Sequence, residues 1–230
     1  FDEVQTLPVK CTHLFNNAIN FLATQCNSTV LLCTATQPLL DRVSPALGAI
    51  RLALKPELMH DVGCLFKALK RVAVNDQRKA GGWSDQEVAD LALAEMQASG
   101  SCLVIVNTKA SARRIFELCA SALASDAVFH LSTDMCPAHR KTRLAAMLVR
   151  LSQDLPTLCV STQLIEAGVA VDFGSVIRFM AGLDSIAQAA GRCNRNGRRA
   201  TGSVHVVNPQ MENLDKLPDI RLLSAATFFD

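Results

Sequence analysis

Apolar positions along this chain fall into two kinds of run, and the two kinds alternate. Val9, Leu14, Ala18, Phe21 and Leu22 recur at helical spacing, which predicts an amphipathic helix over 9–25 with those residues on its core face. Residues 29–33 form a short continuous apolar stretch, as expected of a parallel strand covered on both faces. From Ser84 onward the alternation becomes regular. Ser84-Asp85-Gln86-Glu87 has the capping-box pattern and opens a helix reaching about Ala98. Strands are then expected at 102–106, 128–131, 158–160, 176–179 and 204–207. Helices are expected between them at 110–123, at 137–151 with Pro137 near its first turn, and as a short turn at 165–167. Alternation of this kind predicts an α/β fold of right-handed βαβ units, a parallel sheet flanked by helices.

One further helix carries candidate chemistry. Residues 184–197 read as a helix begun by Asp184 as N-cap and stopped by Gly197 as the left-handed residue past its end. At about 100° per residue, Gln188, Arg192 and Arg195 fall within an arc of roughly 60°. Gly191 among them lets a ligand approach the backbone closely. Two guanidinium forks on one face suit a triphosphate. Arg198 and Arg199 follow, however, and a solvated basic helix end gives the same pattern, so these residues alone leave both readings open. Ligands of open parallel sheets bind at the carboxyl ends of the strands. Asn107-Thr108-Lys109, Ser132-Thr133, Ser161-Thr162-Gln163 and, after a further connection, Gln188 onward are therefore expected to share one functional edge.

Composition narrows the classes. The 230 residues are 50% hydrophobic and carry a formal net charge of only +2, so nucleic-acid binding would have to use local patches. No run of about 18 consecutive apolar residues occurs, which predicts no membrane-spanning helix, and no secretory leader pattern is present. Nine cysteines, an odd number without a C-x-x-C pair, lie mostly in apolar runs, which points to a reducing cytoplasm and against a zinc site. His60-Asp61 stands without the further histidines and aspartates of a metal phosphohydrolase, so it receives no role. Lys67, Lys70, Arg71, Arg78 and Lys79 read as solvated charge, with contact to phosphate as the alternative. Asp2-Glu3 is either an ordinary charged strand end or a Mg²⁺-and-water pair, in which one carboxylate holds the metal and the other orients the attacking water. The chain opens at Phe1, inside what looks like a motif, so a longer parent is expected.

Taken in order, these segments resemble the motifs of a superfamily 2 helicase, and more narrowly the CRISPR-associated helicase-nuclease of type I systems. Asp2-Glu3-Val4-Gln5 resembles the Walker B motif and Thr34-Ala35-Thr36 motif III. Ile105-Val106-Asn107-Thr108 resembles motif IV, Ser161 through Val169 motif V, and Gln188 through Gly197 motif VI. The resemblance implies the end of a first RecA-like domain (1–60), a nearly complete second one (65–208) and a linker (209–230). It implies ATP and Mg²⁺ as cofactors, with Asp2 and Glu3 at the metal and the attacking water. Gln188, Arg192 and Arg195 would act at the triphosphate, with Gly168 beside the nucleotide. Gln5, Thr34 and Thr36 would couple hydrolysis to movement, and Asn107, Thr108, Ser161 and Thr162 would face single-stranded DNA. The implied parent is a DNA translocase recruited by a guide-RNA surveillance complex, with an attached HD nuclease. Two departures stand out. Ala170 replaces a carboxylate of motif V, with Asp172-Phe173 retained, and no G-x-x-x-x-G-K-[ST] loop occurs, so these residues alone are expected to hydrolyse little ATP. An RNA helicase and a non-hydrolysing binding module are the competing expectations.

Overall fold

The computed structural model describes residues 1–34, 38–54, 56–166 and 168–227, so Thr36 of the motif III expectation lies outside the described residues. The chain divides into two compact units, Phe1–Leu69 and Lys70–Asp230.

In the first unit, single 3₁₀ turns at Val4–Thr6 and Val9–Cys11 lead into helix α1, Thr12–Thr24, and a short helix α2 spans Val62–Ala68. The helix lies where the periodicity predicts it, but the face differs. Val9, Leu14 and Phe21 are exposed, whereas Asn16 and Ile19 are buried, with Phe15 packed beside Val4, Leu40 and Ile50. Hydrogen bonds decide the rotation. Asn16 donates to the carbonyls of Leu40 (2.9 Å) and Gly48 (3.2 Å), and Asn20 donates to Ala49 (2.8 Å) while accepting from Arg51 N (2.9 Å). A buried backbone turn needs such partners, and Asn16 and Asn20 on one helix supply them more specifically than apolar contact could.

The strand expected at 29–33 is not formed. These residues run extended beside Phe1–Val4, with bonds from Phe1 N to Leu31 O, Cys33 N to Phe1 O and Val4 N to Cys33 O. Val30 and Leu32 are half-buried while Leu31 and Cys33 are exposed, so one face is covered and not two. No described residue of this unit belongs to a sheet.

The second unit holds one six-stranded parallel sheet of order β1-β6-β5-β2-β4-β3. Its strands are β1 Val72–Asp76, β2 Ser101–Ile105, β3 Val128–Leu131, β4 Thr157–Ser161, β5 Ser175–Phe179 and β6 Gly202–Val207. The intervening helices are α3 Asp85–Ser99, α4 Lys109–Ala122, α5 Pro137–Ser152 and α6 Leu183–Ala190; α7, Pro218–Ala226, follows β6. Alternate strand residues face opposite layers, as the period of two requires. Cys102, Val104, Val160, Ile177 and Phe179 pack with Val88, Ala92, Ile115 and Cys119 of α3 and α4. Leu103, Ile105, Cys159 and Val176 pack instead with Met147 of α5, Ala189 of α6 and the connection residues Ile165, Val171 and Phe173. This RecA-like sandwich confirms the expected α/β class, with a single sheet. Strand β1 and helix α7 had no signature in the periodicity, since β1 is an edge strand of mixed burial.

All nine cysteines are free, and burial pushes the thiols of Cys119 and Cys193 up to about 12, so both remain neutral packing groups. No described helix is long and apolar enough to cross a membrane.

Two local features of this unit can be tested by urea unfolding. Ser84 closes a complete capping box with Glu87, and Ser84→Ala should cost about 1 kcal/mol. A Cβ on Gly174 would meet Ser99 O at 2.4 Å, so Gly174→Ala should cost about 1–3 kcal/mol through overpacking, and a neutral result would show that α3 can slide.

Candidate functional site

In a parallel sheet all strands point one way, so the residues after β2, β3 and β4 must emerge at one edge. Asn107-Thr108, Ser132-Thr133 and Ser161-Thr162 do so. Their side chains are largely inward. Asn107, Ser161 and Thr162 are 4%, 0% and 5% exposed. Ser161 Oγ donates to Leu131 O (3.0 Å), and Thr108 caps α4 by accepting from Ser111 N (3.2 Å). Lys109, the next residue, forms an exposed ion pair with Asp134.

The centre of this edge is a buried polar network that extends into the segment after β6. Arg178, on β5 and wholly buried, pairs through Nε with Glu166 Oε1 at 2.8 Å. Its Nη1 donates to Asn107 Oδ1 (2.6 Å) and Phe179 O (2.9 Å). Asn107 Nδ2 donates onward to Met180 O (3.0 Å) and to Glu212 Oε2 (2.9 Å). Glu212 Oε1 accepts the backbone N–H groups of both Asn107 and Thr108, each at 3.1 Å. Farther along, Thr227 Oγ1 donates to Ala181 O (2.9 Å) and fixes the end of α7 to the same edge. Burial raises the carboxyl of Glu166 despite the adjacent guanidinium, and burial likewise raises that of Glu212 against its three N–H donors.

The arginine segment departs from expectation. Helix α6 begins after Gly182, carries Asp184 inside its first turn, and stops at Gly191. Gln188 is therefore helical, but Arg192 and Arg195 are not. The connection from Asp172-Phe173 captures the backbone that would have continued the helix. Phe173 N donates to Arg192 O (2.9 Å), Asn194 N donates to Phe173 O (2.8 Å), and the Asp172 carboxylate accepts Arg195 N (2.7 Å) and Asn196 N (3.2 Å). Asn194, buried and left-handed at φ 46°, ties this turn to the carbonyls of Arg71 (2.9 Å) and Arg199 (2.8 Å). Gly197 is left-handed as expected, but it closes a turn, not a helix.

The location also differs. Because α6 runs antiparallel to the strands, its end returns to the amino edge of the sheet, beside Gly174 and the start of β6. Cys193 Sγ lies 2.6 Å from where a Cβ on Gly202 would stand, and Arg71 Nη1 donates to Arg195 O at 2.6 Å. The single functional edge becomes two. Asn107, Thr108, Ser161 and Thr162 lie at the carboxyl edge; Arg192 and Arg195 lie at or toward the amino edge. Between them runs the connection after β4, which includes a 3₁₀ turn at Gln163–Ile165; the short helix expected at 165–167 falls partly outside the described residues. Gly168, left-handed at φ 71°, has open space where a Cβ would stand. Arg192 grips this connection, donating from Nε to Ile165 O (3.1 Å) and from Nη2 to Glu166 O. Arg195 is exposed.

In the first unit, Asp2 and Glu3 are exposed and adjacent, with Glu3 left-handed at φ 54°. Glu3 accepts from Gln5 Nε2, whose Oε1 accepts from Thr34 Oγ1, so Glu3, Gln5 and Thr34 form one chain of hydrogen bonds. No group of three or more metal-ligating side chains occurs among the described residues. A magnesium site needs only one or two carboxylates alongside phosphate oxygens and water, and Asp2-Glu3 fits that donor set.

Sequence reasoning missed Arg178 and Glu212 and gave Asp172 no role. One signal was available: a charge inside the apolar strand Val176-Ile177-Arg178-Phe179 must find a buried partner. Nothing local pointed to Glu212.

A parallel-sheet unit with strand-end polar motifs and an arginine turn after its last crossover helix has the fold of a RecA-like helicase domain. Comparison with known proteins agrees. Residues 98–198 match the family model described as CRISPR-associated nuclease/helicase Cas3, C-terminal. A stretch of 43 residues is 56% identical to the CRISPR-associated nuclease/helicase Cas3 of Haloferax volcanii, covering 19% of this chain and 5% of that protein. The fold is similar to that of T. fusca Cas3 in its ADP complex (TM-score 0.66, 17% identity, 92% of this chain and 30% of that one). It is also similar to the DUF1998 helicase MrfA bound to DNA and AMPPNP (TM-score 0.56, 18% identity, 91% and 30%). Each of these likenesses is to a Cas3 protein or another helicase, and the chain spans about a third of the length of the solved relatives.

Removal of Arg178 should show what the buried pair contributes. Arg178→Met strands the Glu166 carboxylate and should cost about 3–5 kcal/mol in unfolding free energy. Without the guanidinium, the folded-state pKa of Glu166 rises further above its unfolded value. The folded variant then binds an extra proton, and the benefit is present at low pH and lost as pH rises through the folded pKa. The stability gap to the wild type should therefore narrow between pH 8 and pH 5; a gap independent of pH would show that losing Arg178 leaves the protonation of Glu166 unchanged.

Proposed function

We propose that this chain forms part of an ATP-dependent, single-stranded DNA translocase that works in CRISPR interference. The observation that carries this reading is the Asp172-anchored turn, which holds Arg195 in solvent while Arg192 stays bound to the 162–166 connection. A rigid turn with one exposed guanidinium and one half-buried one suits charge stabilisation on a transferring phosphoryl group. Support also comes from the order of the motifs, from the Cas3 likenesses, and from relatives solved with ADP or with DNA and AMPPNP.

On this reading, residues 1–60 close a first RecA-like domain, 65–208 form the second, and 209–230 lead onward. Asp2 holds Mg²⁺ and Glu3 orients the attacking water, with Gln5 and Thr34 linked to Glu3 so that a change there is felt in motif III. Gln188, Arg192 and Arg195 serve the triphosphate, with Gly168 leaving room beside it. Asn107, Thr108, Ser161 and Thr162 line the DNA side. Phosphate contacts there need no base readout, so the motor can track any sequence. The parent acts in the cytoplasm, takes its DNA from a guide-RNA surveillance complex of the Cascade type, and carries an HD nuclease elsewhere in its chain. These 230 residues alone, without a P-loop, turn over little ATP.

The decisive measurement is ATP hydrolysis by the longest natural chain containing these residues, with and without single-stranded DNA. Turnover should rise with DNA and fall about a hundredfold or more in Arg195→Ala. Stimulation by RNA alone would move the substrate to RNA. Tight DNA binding with no turnover would sink the motor and leave a binding module, consistent with Ala170.

Glu212 supplies a second check. Its carboxylate fills the N–H groups of Asn107 and Thr108, so a phosphate reaches them only once Glu212 leaves. Glu212→Gln in that chain should bind single-stranded DNA several-fold more tightly in a fluorescence anisotropy titration. Unchanged or weaker binding would remove Asn107 and Thr108 from the DNA path.

A further inference from the structure

Arg178 sits near the carboxyl end of β5 and touches groups that lead toward both edges of the sheet. Toward the carboxyl edge it holds Asn107 Oδ1, and Asn107 O in turn accepts Gln163 Nε2 at 3.4 Å. Toward the arginine turn it holds the Glu166 side chain, and the backbone carbonyls of Ile165 and Glu166 are the acceptors for Arg192. One planar guanidinium therefore joins the start of α4 to the connection that grips Arg192. Two features separate it from ordinary packing. A buried ion pair stands where apolar side chains of similar volume would be no less stable. Its Nη2, moreover, has no hydrogen-bond partner among the described residues, so the fork keeps a donor available if either neighbour shifts.

We propose that Arg178 is a positioning residue that couples nucleic-acid contact at the carboxyl edge to the setting of Arg192. The inference rests on the translocase reading above. Displacement of Asn107 and Glu212 by a nucleic-acid phosphate pulls on Arg178. The guanidinium transmits that pull to Glu166 and to the carbonyl pair that orients Arg192. Lysine can satisfy Glu166 or Asn107, but a point charge on a flexible stem cannot hold both in one geometry. Close-packed strands on either side leave the network discrete arrangements in place of gradual drift.

The test compares wild type, Arg178→Lys and the doubly neutral Arg178→Gln/Glu166→Gln in the longest natural chain. Basal ATP turnover and turnover with saturating single-stranded DNA are measured on the same sample, so their ratio does not depend on the folded fraction. In Arg178→Lys the stimulation ratio should fall about fivefold or more, whatever the change in basal turnover. The double variant should also lose stimulation, which would exclude a stranded carboxylate as the cause. Rates that fall together with the ratio preserved would make Arg178 purely structural and overturn the proposal, leaving the translocase reading intact. Absence of DNA-stimulated turnover in the wild type would overturn both.

Discussion

A charged side chain cannot be left alone inside a sheet, and the second unit is arranged around that constraint. Arg178 is fully enclosed near the carboxyl end of β5, where its neighbours in sequence are apolar. Glu166 must come to it, so the connection after β4 is drawn across the sheet face. Asn107 must turn its amide oxygen inward, which sets the start of α4. Burial raises the carboxyls of both Glu166 and Glu212, and the Arg178 guanidinium only partly offsets it. Such a pair adds little net stability compared with apolar packing, but it fixes which groups meet.

Asp172 plays a parallel part at the opposite edge. Its carboxylate collects two successive backbone N–H groups, those of Arg195 and Asn196, which an uninterrupted helix would have bonded internally. The helix therefore ends at Gly191, and the arginines sit in a turn that is over-determined by Asn194 and Arg71. Asp172 organises the turn without a second carboxylate from the neighbouring Ala170 or Val171. One aspartate has a structural task that its position in a motif did not disclose.

Chain direction explains the separation of the two edges. Parallel strands send every β-to-α connection out at one end, and every helix returns the chain to the other. Polar residues immediately after strands must therefore gather at the carboxyl edge, and residues immediately after α6 must lie at the amino edge. The 162–166 connection and Arg178 lie between the two sets of residues.

Much of this was legible in the sequence. Apolar runs flanked by turn residues located five of the six strands to within about a residue or two, because strands buried on both faces have little alternative. The capping box at Ser84 and the proline at the start of α5 marked helix starts through strictly local hydrogen bonding and backbone geometry. What failed were features set by partners distant in sequence. The buried face of α1 follows carbonyls at 40–49, the segment at 29–33 has one covered side, and the helix before Arg192 yields to Asp172. Glu212 reaches groups more than a hundred residues away. The sequence by itself determined the strand-helix alternation and the identity of its polar motifs, since both depend on near neighbours. Tertiary structure alone decided which faces are buried, which edge each motif occupies and which charges pair, since those depend on groups that only folding brings together.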